Sequence, residues 1–364
     1  MDTNSYFTIE TLQSGGVGLL KHQGSNSDLI TLYYWVNTIP NTNRDNYTGI
    51  ITSSRSSNVY ISGLKAGDKI RFYRIETTSW RYSDSDYVRF VINSGNVSGN
   101  IASLFGYVST PPAYACFNMF SGCGIVDASK LELPWTTLSE WCFGRMFLNC
   151  TKLTEPPYLP AETAVNSCYR LMFRQCTALK KISKMGCKHL AFASHYGMYQ
   201  LCKGLEKVTL PLFDTYDNQA LSFMFNGCSG LKELTVECPE VLSTKNMFYG
   251  LAGNCMNLER FTCLAKNSTA NCTEKWLGAN ASYAAEHATF IKHPDATFWQ
   301  TDSISGIPSG WTVKNMNPQT QTIDYSKITA AYSKGNHSLS AIYGRGGILL
   351  WGTPVNDYSS AVPL

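Results

Sequence analysis

Long apolar runs and charged residues are what this sequence has least of. No window of about 18 apolar residues occurs, which is the length that a membrane-spanning helix requires. Charged residues make up 15% of the 364 residues, against about 25% in an average soluble domain, and the net charge is only +4. No run of Lys and Arg compensates for this. We therefore expect no membrane insertion and no nucleic-acid partner, because nucleic-acid binding depends largely on neutralising phosphates.

Paired cysteine motifs are also missing. The chain has 13 cysteines, an odd number, and none of them stands in a Cys-x-x-Cys unit. This excludes a complete disulfide framework within one chain and gives no support to a zinc site. Residues 1–7 lack the basic and apolar regions of a secretory signal. We expect the protein to fold in a reducing compartment, without a metal or a cofactor.

Motifs that carry catalysis are absent as well. No glycine-rich nucleotide-binding motif follows a strand and opens a helix. His189 lies near Cys187 and His195 near Cys202, the two places where a Cys/His nucleophile would be sought. Both cysteines are better interpreted as small buried residues. We predict that the chain has no catalytic residues and is not an enzyme.

What the sequence does contain is a repeat. A Met-Phe-x-x-Cys motif recurs with a period of about 26 residues, and an aliphatic residue stands three positions after each Cys. This aliphatic residue opens an L-x-x-L-x-L pattern, clearest at residues 205–210, whose last three residues alternate as in a short strand. A sixth copy begins at Met247 and reaches Cys255 only after extra residues. The earlier copies begin at Met119, Met146, Met172, Met198 and Met224.

The segment before each Met predicts a helical turn. A small residue stands four positions before the Met, and this spacing places both side chains on one face of a helix. Stacking such units predicts an α/β leucine-rich-repeat solenoid with about six repeats of 26 residues, with helical segments on one side and a parallel sheet on the other. Pro156 and Pro157 occupy strand positions in the second repeat, which disfavours a strand there. The small residues are Cys142, Cys168, Ser194, Ala220 and Ser243.

The repeat resembles a known family. The Met-Phe-x-x-Cys-x-x-Leu register is similar to the BspA-like leucine-rich repeats of bacterial surface proteins, which also occur in phages of gut bacteria. Residues 96–101 resemble the start of such an array, and residues 290–294 with 307–313 resemble its closing segment. The resemblance implies a role in adhesion and in ligand or host recognition. It supplies no catalytic residues.

Three regions follow from these patterns. Residues 1–95 contain short alternating runs separated by turns, which predict an all-β sandwich that serves for docking or capping. Residues 96–313 are the solenoid with its C-terminal cap. Residues 314–364 form an apolar, Gly-rich tail that we expect to serve in assembly or to seal the solenoid. Its apolar segment consists of Ile348, Leu349, Leu350 and Trp351.

The outward strand positions are the predicted binding surface. In the L-x-x-L-x-L pattern the third and fifth residues point away from the core. The third positions hold mixed charges, at Glu155, Lys181, Lys207, Glu233 and Arg260. The fifth positions hold mostly hydroxyls, at Ser183, Thr209, Thr235 and Thr262. Two interpretations stay open: contact with a ligand, or charge pairing between neighbouring repeats that keeps the surface soluble.

These observations favour a non-enzymatic structural and adhesion protein of a phage virion, in a decoration, fibre or tail-associated position. Such a protein would assemble in the host cytoplasm. Its expected partners are other virion proteins or copies of itself, and a protein or glycan of the host surface. The alternative is a bacterial cell-surface adhesin with the same repeat.

Overall fold

The computed structural model describes residues 5–21, 29–54, 57–75, 81–83, 86–278, 284–301 and 303–316, together with the backbone of 328–333, 339–344, 347–350 and 362–363. The chain divides into two compact units, Met1–Lys314 and Asn315–Leu364. We describe each unit by itself.

Two antiparallel sheets form the N-terminal part of the first unit. Their strand orders are β9-β1-β6-β3-β4 and β5-β2-β8-β7. The ring centroids of Phe7 and Phe72 in one sheet each lie 5.4 Å from that of Phe90 in the other, so the sheets pack face to face as a sandwich. The strands are β1 (Phe7–Thr11), β2 (Gly15–Lys21), β3 (Thr31–Val36), β4 (Gly49–Thr52), β5 (Val59–Leu64), β6 (Lys69–Tyr73), β7 (Arg81–Ser83), β8 (Asp86–Ile92) and β9 (Gly95–Asn100).

The sandwich continues directly into the solenoid. β9 pairs in parallel with β10 (Ile125–Glu132), the first strand of the solenoid. The ring of Phe90 stacks on that of Phe120 with centroids 5.6 Å apart, and one buried hydrophobic cluster includes residues of both parts. Between the two strands lies a short 3-10 helix, Ile101–Phe105, the one helix in the part of the chain that the structure describes. The sandwich thus covers the first coil of the solenoid.

The solenoid consists of stacked coils that carry short strands on one side. We number the coils by the cysteine of the repeat. A parallel sheet has the order β11-β12-β14-β16-β17, with Val208, Leu234, Phe261 and Phe290 in register across its first four strands. β13 and β15 pair separately. The strands are β11 (Lys207–Leu210), β12 (Glu233–Val236), β13 (Val241–Leu242), β14 (Arg260–Cys263), β15 (Asn267–Ser268), β16 (Thr289–Lys292) and β17 (Thr312–Asn315). The coils are one (Cys123), two (Cys150), three (Cys176), four (Cys202), five (Cys228) and six (Cys255).

Coils two and three have no strand at the repeat position. Pro156 and Pro157 lack the N–H groups that a strand needs, as the sequence predicted. On the strand side, this part of the stack has isolated parallel bridges, such as Asp127 with Glu155 and Leu159 with Met185.

The other side of the solenoid is not helical, and the prediction of an α/β solenoid is wrong on this point. Each segment before a repeat cysteine is a chain of tight turns, which we call the ribbon. In coil two, Leu148 N–H donates to Arg145 C=O within the coil (3.0 Å), whereas Phe147 N–H donates to Met172 C=O in the next coil (2.9 Å). Donors alternate in this way along the ribbon of each coil. A helix would keep all of these bonds within the segment.

Left-handed backbone recurs every four residues in the ribbon. The φ angles of these residues lie between 50° and 74°, and most of them donate their N–H groups to the next coil. Inward side chains therefore also repeat every four residues, which is the spacing that suggested a helix. In coils one to six these residues are Tyr114, Asn118, Gly122, Trp141, Arg145, Asn149, Ser167, Leu171, Gln175, Ala193, Gly197, Leu201, Gln219, Phe223, Gly227, Asn246, Gly250 and Asn254.

The aromatic residue of the repeat forms a ladder through the core. Ring centroids are separated by 5.3 Å from Phe120 to Phe147, by 5.4 Å on to Phe173, by 5.4 Å on to Tyr199 and by 5.8 Å on to Phe225. The rings from Phe147 onward are within 9° of parallel. Offset stacking of this kind adds to the free energy gained from burial.

The repeat cysteine forms a second ladder by donating from its thiol. Cys150 Sγ donates to the carbonyl of Phe120 at 3.0 Å, and Cys176 Sγ to that of Phe147 at 3.1 Å. Cys202, Cys228 and Cys255 repeat the contact, each with the ladder aromatic residue of the coil before. Burial raises the pKa of these thiols, to about 12 at Cys202 and Cys255. The protonated thiol is therefore the form that the stack contains.

The sixth copy is placed differently from the sequence prediction. Phe225 N–H donates to Leu251 C=O, just as Phe173 N–H donates to Met198 C=O in an earlier coil. Leu251 and Ala252 therefore occupy the Met and Phe positions, so no extra residues separate the motif from Cys255. Met247 lies one turn earlier, at the position that Ala220 holds in coil five.

The second unit contains a four-stranded sheet of order β20-β19-β18-β21, and the pairs within it are antiparallel. Ile348, Leu349 and Leu350 lie in β20, whereas Trp351 lies outside the described residues. The strands are β18 (Ile328–Ser333), β19 (Leu339–Gly344), β20 (Gly347–Leu350) and β21 (Val362–Pro363).

A glycine substitution distinguishes the ribbon from a helix. At Asn149, with φ of 59°, Gly should give a more stable protein than Ala by about 1 kcal/mol, because Ala disfavours left-handed backbone. In a helix the order would be reversed. Chemical denaturation of Asn149→Gly and Asn149→Ala measures the difference. The same pair of substitutions at Gln200, where φ is not positive, is the control and should not favour Gly.

Thiol accessibility tests the cysteine ladder. All 13 cysteines are free, and only Cys238 is not fully buried. A disulfide reagent should label all 13 in denaturant, but in the native protein it should react rapidly only at Cys238 and, by exchange, at Cys263, whose Sγ is 3.4 Å away. Rapid native labelling at Cys176 or Cys202 would contradict the ladder.

Candidate functional site

The charged column on the sheet is internally paired. Lys181 Nζ lies 2.5 Å from Glu155 Oε2, and Lys207 Nζ lies 2.9 Å from Glu233 Oε1. Arg260 approaches the same Glu233 at 3.8 Å. The hydrogen bond from Lys207 lowers the pKa of Glu233. The pairing expected between neighbouring repeats is therefore present, and it neutralises much of this face.

The hydroxyl column is only partly exposed. Thr209 is exposed and Thr235 is half-buried, in agreement with their outward positions. The prediction is wrong for Ser183 and Thr262, whose side chains are 2% and 6% exposed.

The two buried hydroxyl residues have different surroundings. In coil three, which has no strand at this position, the Ser183 N–H turns inward and donates to Tyr199 Oη at 2.9 Å. The Phe-to-Tyr change in repeat four thus supplies a partner for this N–H. Thr262 lies in the middle of the sheet, between Thr235 and Ile291 on the adjacent strands.

A second set of charge pairs joins coils farther from the sheet. Lys188 pairs with Glu162, and Lys266 Nζ lies 2.6 Å from Glu240 Oε1. In both pairs the two residues are 26 positions apart, so each pair links neighbouring coils. Such partly exposed pairs contribute little individually to stability.

A shallow groove of about 520 Å³ crosses the edge between ribbon and sheet. Its lining contains three lysines and three glutamates, which gives no binding preference for ions of one sign. The charged residues in it include Lys180, Glu206, Lys232 and Glu259.

The outward side of the ribbon has a different composition. In each coil, the two residues before the Met position and the two before the Cys are the ribbon positions that face away from the core. The ribbon face consists of these positions in coils two to six, together with Trp141. Half-buried side chains lie along it, with arginines in coils two and three and aromatic residues in coils four, five and six. They are Trp141, Arg145, Arg170, Arg174, Tyr196, Phe223 and Tyr249.

Cation–aromatic contacts connect the coils of the ribbon face. The guanidinium of Arg170 lies 4.0 Å from the ring centroid of Tyr196 and 5.4 Å from that of Trp141. Farther along, Phe223 and Tyr249 have centroids 5.2 Å apart. Sequence reasoning missed this face because it assigned the whole segment to a helix. The alternation of inward and outward residue pairs was the pattern that would have found it.

The two Cys/His pairs that the sequence singled out do not form a nucleophile. Cys187 Sγ donates to the backbone carbonyl of His189 (3.4 Å), and burial raises its thiol pKa to about 11. Cys202 donates to Phe173 C=O and not to a histidine. His195 is fully buried, bonds through Nδ1 to Ser194 Oγ at 3.0 Å, and has a pKa lowered to about 3 by burial.

Within the described ranges, no three His, Cys, Asp or Glu side chains are grouped so that they would hold a metal ion. None of the residues described there forms a helix with the length and apolar content needed to cross a bilayer. Comparison with known proteins finds no family model, no curated protein and no solved structure that matches this chain.

Acid should weaken the fold through His195. Its folded pKa of about 3 lies below its ordinary value of 6.5, so the unfolded chain binds a proton that the folded chain does not. The free energy of unfolding should fall below pH 6.5 by about 1.4 kcal/mol per pH unit from this group. Denaturation at pH 7, 6 and 5 measures the slope.

His195→Phe provides the comparison, since Phe143 occupies the same position in coil two. This variant should have a flatter dependence of stability on pH between 7 and 5. An unchanged slope would mean that His195 is not the group responsible.

Proposed function

We propose that this chain is a non-enzymatic recognition and structural protein of a phage virion, in a decoration, fibre or tail-associated position. The register of its repeats is the basis for relating it to BspA-like leucine-rich repeats, although the ribbon replaces the helical side expected of that class. Recognition of a host-surface protein or glycan is the role that this relationship suggests.

The observation that carries the proposal is the open, repetitive surface of the solenoid. Six coils present equivalent positions side by side on the ribbon, and coils four to six also do so on the sheet. Such surfaces suit extended partners, because each coil adds a similar contact. A small substrate would need a concave, enclosed site, whereas the groove on this molecule is shallow and mixed in charge.

The state of the cysteines favours a virion over a secreted adhesin. Six thiols donate to backbone carbonyls and are protonated in the stack. Folding in the reducing cytoplasm of an infected cell preserves these donors. A bacterial cell-surface adhesin with the same repeat is the alternative, and it would have to fold after export.

The second unit supports an assembly role. Its sheet has antiparallel strands with edges at β20 and β21, and strand edges pair readily with other chains. Other virion proteins or further copies of this chain are the proposed partners.

Phage particles that encode the chain provide the test. Mass spectrometry of purified virions should detect the protein, and the purified chain should compete with virions for attachment to host cells. A chain that ends after Met316, which retains β17, should stay folded but no longer enter particles. Absence from virions combined with display on bacterial cells would favour the alternative.

A further inference from the structure

Three arginines of the ribbon face have no carboxylate partner. Arg145, Arg170 and Arg174 take part in none of the ion pairs found among the described residues. Arg174 Nε is buried without a hydrogen-bond partner there. Burial lowers the pKa of Arg170; nearby Tyr196 opposes this shift and Arg145 adds to it. Among the described residues, the three cations therefore have no carboxylate that neutralises them.

The rest of the ribbon face is also free of acid. No Asp or Glu occupies one of the two residues before the Met position or the two before the Cys in coils two to six, all of which are described, although Glu140 directly precedes Trp141. Amide side chains, which both donate and accept hydrogen bonds, take one of the two outward positions before each Cys along this face. They are Asn149, Gln175, Gln200, Asn226 and Asn254. The sheet face differs, since Lys181, Lys207 and Arg260 there already have acidic partners.

The geometry of the aromatic residues favours a sugar over a nucleic acid. Nucleic-acid bases need free ring faces on which to stack. One face of Tyr196 is covered by Arg170 at 4.0 Å, and Phe223 and Tyr249 contact each other at 5.2 Å. The guanidinium groups and amides of this face can bind the carboxylates and hydroxyls of a sugar acid without a stacking platform.

We propose that the ribbon face binds an acidic polysaccharide, whose carboxylates are received by Arg145, Arg170 and Arg174 and whose hydroxyls bond to the neighbouring amides. This inference rests on the proposed recognition function and names its surface and ligand class. It moves the binding site away from the sheet columns that the sequence suggested.

The first experiment compares two ligands with one backbone. Polygalacturonate carries a carboxylate on each sugar, and its methyl ester has the same chain without the charge. The full chain should bind polygalacturonate at least about tenfold more tightly than the ester, and added salt should weaken binding. Calorimetry or biolayer interferometry measures this without any variant. Equal binding of the two ligands, or no binding of polygalacturonate, would overturn the proposal.

The second experiment compares two faces with equal loss of charge. The variant Arg145→Gln, Arg170→Gln, Arg174→Gln should lose about tenfold or more in affinity for polygalacturonate. The matched variant Lys181→Gln, Lys207→Gln, Arg260→Gln should change less than about twofold. The opposite ranking, or tighter binding of a dT oligonucleotide than of polygalacturonate, would overturn the assignment.

A folding control accompanies the ribbon variant, because Arg170 also contacts two rings. Should thermal unfolding show that this variant does not fold, Arg174→Gln alone replaces it, and weaker binding of polygalacturonate is again expected. Unchanged affinity in a folded Arg174→Gln variant would count against the site.

The inference and the proposed function fail in different ways. If virions attach to the host through this protein but the protein does not bind polygalacturonate, the proposed function is supported and the inference is contradicted. If the protein binds polygalacturonate but is absent from virions, the inference is supported and the proposed function is contradicted.

Discussion

The alternating hydrogen bonds of the ribbon are the interaction on which the solenoid depends. Every second N–H group of a ribbon is directed out of its own coil and needs a carbonyl in the next. A single coil would leave these donors unpaired, and unpaired backbone groups in a buried position are costly. Stacking is therefore required by the backbone itself. The N-terminal sandwich covers the first coil, where Phe90 N–H donates to Met119 C=O.

The choice of side chains inside the stack follows from this backbone. The ladder carbonyl, such as that of Phe147, accepts the N–H of Cys150 in its own coil and the thiol of Cys176 in the next. Cysteine is small enough for the space between coils and still provides a donor. Alanine would fit but would leave the second acceptor position empty. This is a physical reason for cysteine to recur once in each coil.

The two outer surfaces divide the charge of the molecule unequally. On the sheet, Glu155 and Glu233 neutralise the neighbouring cations. On the ribbon, left-handed positions and tight turns favour Gly and amide residues, and the arginines there stand without acids. The sheet charges serve pairing between coils. This difference is why we propose the ribbon face, and not the sheet, as the surface for a ligand of opposite charge.

The sequence by itself determined the repeat, its period and the inward residues, because these depend only on which residues recur. It also predicted that no strand forms at Pro156, because proline has no N–H group to donate to a neighbouring strand. It also placed Glu233 beside Lys207 correctly. Only the tertiary structure decided that the segment before each Met is a ribbon, that Leu251 and not Met247 continues the register, and that Ser183 is buried. A four-residue spacing puts side chains on one face in either a helix or a ribbon, so it cannot distinguish them. The distinction lies in where each N–H finds its acceptor, and half of those acceptors belong to a neighbouring coil.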